Sequence, residues 1–114
     1  MKTSQRQTNN KSWTYMLRCA DDTYYTGCTT DLDQRIYEHQ TGKYDGYTKR
    51  RRPVKLVWSE EFQTIDEAIE AERQIKKWSQ AKKRALIAGD FDIIKELAQS
   101  REMRERRKPK KNKN

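Results

Sequence analysis

Tyr15 and Tyr25 stand ten residues apart in two short runs rich in aromatic and β-favouring residues, Trp13 to Cys19 and Tyr24 to Cys28, with Ala20-Asp21-Asp22-Thr23 between them. The pattern reads as a β-hairpin. Side chains alternate between faces along a strand, so the two tyrosines share a face only if paired residue numbers sum to an even value. A three-residue loop Asp21-Asp22-Thr23, with a residue near αL at its end, gives that parity; a two-residue loop sends the tyrosines to opposite faces. The same parity places Cys19 with the tyrosines and turns Tyr24 and Cys28 away. It therefore argues against a disulfide and makes both cysteines packing residues. Two cysteines and one histidine are also too few, and wrongly spaced, for a zinc cage.

Beyond the hairpin, Thr30 can N-cap a helix with Asp33 three residues on, and Leu32, Ile36 and Tyr37 supply an apolar stripe until Gly42 stops it. Arg35 and His39 lie four apart and so project from one side of that helix. The loop that follows carries Tyr44 and Tyr47 ahead of the consecutive cations Lys49, Arg50, Arg51 and Arg52. Cations for phosphates beside rings that stack on bases make Tyr47, Lys49, Arg50, Arg51 and Arg52 candidate nucleic-acid contacts.

Val54 to Phe62 resumes a strand, with Val54, Leu56 and Trp58 alternating against Lys55 and Ser59, the pattern of a central strand packed by helices. Thr64 and Glu67 form a capping box that opens a helix from Ile65 to Trp78. Its apolar stripe contains Glu72. An unpaired buried charge costs on the order of several kcal/mol, so a carboxylate where a leucine would fit calls for a compensating cation. Ser79 caps another helix through Ile87, and Asp90 starts a last one, from Phe91 to about Met103.

The chain has 114 residues, a formal net charge of +9, 38% charged residues and 32% apolar ones. That describes one domain with a polyanionic partner. Nucleic acid is the first candidate, because each neutralised phosphate releases counterions; an anionic membrane surface is the second. No apolar run approaches the roughly 18 residues a span needs, and the N-terminus lacks a secretory apolar segment, so a soluble cytoplasmic protein is expected. The expected organisation is a flexible tail over 1–12, a folded domain over 13–88, a C-terminal helix over 89–103 and a basic tail over 104–114.

Tyr15 in the slot of a first motif, Tyr25-Thr26-Gly27, Thr29-Thr30-Asp31-Leu32-Asp33-Gln34-Arg35, His39, Arg52-Pro53-Val54-Lys55-Leu56-Val57 and Glu72-Arg73-Gln74-Ile75-Lys76 together resemble the GIY-YIG nuclease domain, above all its small stand-alone bacterial members. The likeness runs from about Trp13 to Ile87. Trp13 and Thr14 replace the glycine and isoleucine of the first triplet, and Thr26 replaces the isoleucine of the second. Some members place an asparagine in the site after the metal-binding glutamate. Here that role is vacant or falls to Gln74 or Lys76. The resemblance implies an α+β fold, a three-stranded antiparallel sheet flanked by helices, and hydrolysis of DNA phosphodiesters with Mg²⁺ or Mn²⁺, in a structure-directed role in repair or recombination.

On that reading Glu72 is the metal carboxylate, and one is enough, because Mg²⁺ keeps most of its waters. Tyr25 is expected to activate the attacking water by hydrogen bond or proton transfer, with Tyr15 positioning that water; the reverse assignment stays open. A free phenol titrates near 10, so a tyrosine base needs cations nearby to lower its pKa, and Arg35 and the metal are expected to provide them. Arg35 also suits the charge of a pentacoordinate phosphate, and His39 is expected to relay a proton or bind a phosphate oxygen. The competing readings are a nucleic-acid-binding module with little turnover and an adaptor for an acidic protein.

Overall fold

A computed structural model describes residues 11–99. Three strands, β1 (Ser12–Arg18), β2 (Tyr24–Thr29) and β3 (Lys55–Phe62), form an antiparallel sheet in the order β2-β1-β3. The fold is α+β, as expected, but the centre is β1 rather than β3. Thr14, Tyr15, Met16 and Leu17 are buried in succession, which requires cover on both faces. In β3 the alternation breaks at a bulge: Met16 pairs with Trp58 but Leu17 pairs with Leu56, leaving Val57 as the extra residue. Val57 and Trp58 consequently pack with Met16, while Val54 joins Tyr15 and Leu17 on the other face.

The hairpin has the even parity that the tyrosines require, with Tyr15 opposite Gly27 and Leu17 opposite Tyr25. Its loop falls one residue earlier than expected. Cys19 N–H donates to the Thr23 carbonyl at 2.8 Å, closing Ala20-Asp21-Asp22, and Asp22 takes the left-handed position at φ 66°. Asp21 secures this register by accepting from both the backbone N–H and the hydroxyl of Thr23. Cys19 and Cys28 are free and lie on opposite faces.

Helix α1 (Leu32–Thr41) is capped by Asp31, whose carboxylate accepts from Gln34 N–H at 3.1 Å; the expected cap was Thr30. Asp31 has the extended backbone a cap needs, and its own N–H is held by the Thr29 hydroxyl. Gly42 ends α1 at φ 82° and donates to the carbonyls of Glu38 and His39, fixing the turn that carries the histidine. A short 3₁₀ turn, Lys49–Arg51, precedes β3.

Helix α2 (Ile65–Lys76) opens on Thr64, which accepts from Glu67 N–H, and ends before Trp78. Ser79 caps α3 (Gln80–Ile87) by accepting from Lys82 N–H. A fourth helix, α4, runs over 91–99. The expected continuation to Met103, the basic tail and residues 1–10 of the N-terminal tail lie outside the described residues. Ser12, assigned to that tail, is instead a buried residue of β1, and Lys11 pairs with Glu61.

The sheet separates two cores. On the face of the odd-numbered β1 residues, Tyr15, Leu17, Cys19 and Val54 pack with Tyr25 and with Leu32 and Ile36 of α1. On the other, Met16, Ile75, Leu86 and Leu97 form one cluster and Phe62, Ala68 and Ala71 form another with Cys28. The Thr14 hydroxyl, buried in this second layer, is satisfied by the Ala68 carbonyl at 2.7 Å.

Candidate active site

Tyr15 sits in the central strand and its ring lies against Gly27 of the edge strand β2. A Cβ at Gly27 would stand 2.6 Å from the Tyr15 hydroxyl and 2.8 Å from Cζ, so only glycine leaves room for it. The hydroxyl is 2.8 Å from His39 Nε2, and Arg35 lies beside it. Burial pushes its pKa up, and the polar contact and charge of Arg35 pull it partly back.

His39 has no exposed surface and is bonded through both ring nitrogens, Nε2 to Tyr15 and Nδ1 to the Thr48 hydroxyl at 2.7 Å. Tyr44 covers the ring with centroids 4.3 Å apart. Burial, and then the charge of Arg35, lower the imidazole to about 4, so it is neutral at physiological pH. His39 is thus enclosed by protein, and its hydrogen bond to Tyr15 is its link to the site.

The shift has a consequence for stability. The unfolded histidine titrates near 6.5 and the folded one near 4, so between those values the unfolded chain binds more protons. Stability rises with pH across that window, is complete above it, and is lost as pH falls through it. Thermal melts from pH about 7 to about 4.5 are expected to show a steeper acid loss for the native chain than for His39→Gln, which cannot titrate.

Tyr25, diagonal to Tyr15 on the same face, is half-buried and stacks on Tyr47 with centroids 6.1 Å apart and planes at 20°. Its pKa is raised, by burial first, then by a hydrogen bond with Tyr44 and the negative field of Glu72. The expectation that cations would lower it is overturned for the protein alone. The lowering field of Arg35 falls on Tyr15. Arg35 lies with Cζ 4.8 Å from the Tyr44 ring centroid and its Nε 3.4 Å from Glu38.

Glu72 comes from the opposite layer. Its half-buried carboxylate accepts from the Cys28 thiol at 3.2 Å through Oε1 and pairs with Lys76 Nζ at 2.7 Å through Oε2. Lys76 is the compensating cation that the stripe required. Burial, then the carboxylate, push the Cys28 thiol up to about 11, so it remains a donor. β2 is the edge strand, and the negative field of Glu72 reaches Tyr25 and raises its pKa. Among the described residues no three His, Cys, Asp or Glu side chains gather to cage a metal. A lone carboxylate does fit Mg²⁺ or Mn²⁺, held otherwise by water and phosphate, and does not fit a structural zinc.

The cationic loop is more tied down than its composition suggests. Arg51 lies 3.7 Å over the Tyr47 ring, bonds Asp21 at 3.1 Å and the Tyr47 carbonyl at 2.8 Å, and its own carbonyl accepts from Ala20 N–H. It fastens the hairpin loop to the site. Arg52 bonds the Lys49 carbonyl and lies against Gly42, and Lys49 pairs with Asp45. Arg50 is exposed. The groups that sequence reasoning missed are Thr48, Gly27 and Cys28, and Tyr44, read as a ring for stacking on bases, instead lies against His39 and Arg35. A glycine inside a strand is a signal of close approach. Thr48 and Tyr44 sit in a loop without periodicity, which hides their partners.

A family model described as the GIY-YIG catalytic domain matches residues 11–85. A UPF0213 protein of Syntrophus aciditrophicus is 47% identical over 79 residues, covering 68% of this chain and 91% of its own length. The UPF0213 protein YazA of Bacillus subtilis is 43% identical over 81 residues, covering 71% and 81% respectively. The solution NMR structure of the protein EF2693 from E. faecalis is similar at 34% identity with a TM-score of 0.51, covering 70% of this chain and 85% of that one. No helix among the described residues is long and apolar enough to cross a membrane.

Proposed function

The chain belongs to the GIY-YIG family of nuclease domains, and from that premise we propose that it is a divalent-metal-dependent endonuclease that hydrolyses DNA phosphodiesters at the open edge of β2, with structure-directed cleavage in repair or recombination as its role. One observation carries the reading: Tyr15, Tyr25 and Arg35 converge from one face of the sheet while Glu72 reaches the same edge from the other.

Glu72 would hold the ion. The ion's chemistry is to polarise a phosphate oxygen and steady the leaving oxygen. Tyr25, the more open of the two phenols, contacts the attacking water and acts first as a hydrogen-bonding group, since burial keeps it protonated in the free protein. The Tyr15 hydroxyl, buried between Arg35 and His39, positions that water through Arg35. Arg35 stays charged throughout and offers its planar fork to the phosphate. Arg50 and the exposed cations Lys49 and Arg52 meet the backbone of the DNA, whereas Arg51 and Tyr47 brace Tyr25.

The test is incubation with plasmid, flap, branched and single-stranded DNA in Mg²⁺ or Mn²⁺, beside Tyr25→Phe. Cleavage by the native chain that falls by about a hundredfold or more in the variant is expected. Tight binding with no cleavage would replace this reading with a binding module.

A further inference from the structure

The buried chain Tyr15–His39–Thr48 has a direction, and Thr48 sets it. Arg35 lies beside the Tyr15 oxygen and can only donate, so it offers no acceptor for the phenol proton. The Tyr15 hydroxyl is out of solvent, and the neighbour that can take its proton is His39 Nε2, at 2.8 Å. A neutral imidazole carries one proton, which then resides on Nδ1 and is donated to Thr48 Oγ1 at 2.7 Å. Thr48 is free to accept it. It precedes the 3₁₀ turn, where a hydroxyl commonly caps, yet its side chain makes no capping hydrogen bond. Its carbonyl alone serves the turn, accepting from Arg51 N–H at 3.0 Å.

We propose that Thr48 is a positioning residue that holds His39 in its Nδ1–H tautomer and thereby turns the Tyr15 hydroxyl into an acceptor toward the site. With its proton directed inward, the buried Tyr15 oxygen turns its lone pairs to Arg35, whose guanidinium then meets the phosphate in a fixed orientation. The opposite tautomer would have Nε2 donate to Tyr15, and the Tyr15 proton would point at the Arg35 cation and push it out of place. This inference rests on the assignment of Arg35 to the phosphate.

The experiment compares the native chain with Thr48→Val, which keeps the shape and removes the hydroxyl, and with Thr48→Ser, which restores it. His39 is the chain's only histidine, so ring-nitrogen NMR of ¹⁵N-histidine-labelled protein reads its tautomer directly, whether or not the protein cuts DNA. The native chain and Thr48→Ser are expected to show Nδ1–H. Thr48→Val is expected to move to Nε2–H and to lose about tenfold in kcat with KM unchanged, the size of one misdirected hydrogen bond. Should valine prevent folding, Thr48→Ala takes its place under the same criteria. An Nε2–H tautomer in the native chain, or Nδ1–H retained in the variant without the hydroxyl, overturns the proposal. If no version cleaves DNA, the nuclease reading fails, while the tautomer still decides what Thr48 does to His39.

Discussion

Glu72→Gln is expected to abolish metal-dependent cleavage while leaving the fold in place. Glutamine keeps the shape and an acceptor for the Cys28 thiol, so packing along α2 survives, but the negative charge that would hold the ion is gone. Lewis-acid stabilisation is worth several kcal/mol, and each 1.36 kcal/mol is a factor of ten, so the loss is on the order of a thousandfold or more. The stability change should be small. Lys76 is half-exposed, and a pair four residues apart on a helix contributes only about 0.3–0.5 kcal/mol. Cleavage assays with native and variant protein, together with Mn²⁺ binding read by electron paramagnetic resonance, check both halves of the expectation. A variant that cuts as fast as the native chain would move the metal elsewhere.

Gly27→Ala is expected to damage both the fold and the site, through one added methyl. At 2.6 Å from Oη and 2.8 Å from Cζ of Tyr15, and 3.1 Å from the Tyr25 ring, the methyl cannot be accommodated unless Tyr15 moves. The neighbour that must yield is a buried ring anchored by its hydrogen bond to His39 rather than the free end of a flexible side chain. Overpacking of this kind costs about 1–3 kcal/mol, and displacing Tyr15 leaves the buried His39 Nε2 without its partner, which adds about 1–3 kcal/mol. Chemical denaturation should show a lower midpoint at unchanged slope. Cleavage should fall further than in Tyr15→Phe, which removes the hydroxyl without moving the ring. Native-like stability would mean that β2 relaxes outward at its open edge.

Much of this was legible in the residues. The parity of the hairpin followed from asking two tyrosines to share a face, and it survived a one-residue shift of the loop because parity does not depend on where the loop lies. Arg35 and His39 were readable from helical spacing, and Glu72 from its place in an apolar stripe. Three things were not. The bulge at Val57 breaks a period-two pattern without leaving a glycine or proline to mark it, so β3 passed for the central strand. The N-cap went to Asp31 over Thr30, since both are acceptable caps and only backbone geometry chooses. The rise in the Tyr25 pKa depends on burial and on Tyr44 and Glu72, which arrive from 19 and 47 residues further along the chain and are brought in by tertiary structure alone.

The location of the site at the rim of a thin sheet also bears on how the protein comes apart. Tyr15, Arg35, His39 and Thr48 belong to the layer of α1, while Glu72 and Cys28 belong to the layer of α2. Proteins open in cooperative pieces whose free energies differ from one region to the next. Fraying of α2 would withdraw the carboxylate and leave the tyrosine–histidine cluster intact; loosening of the cationic loop would do the reverse. A bound ion and the imidazole would thus report on different halves of one small domain, and the proposed site needs both closed at once. Ordering the two layers together would then control the site through local breathing.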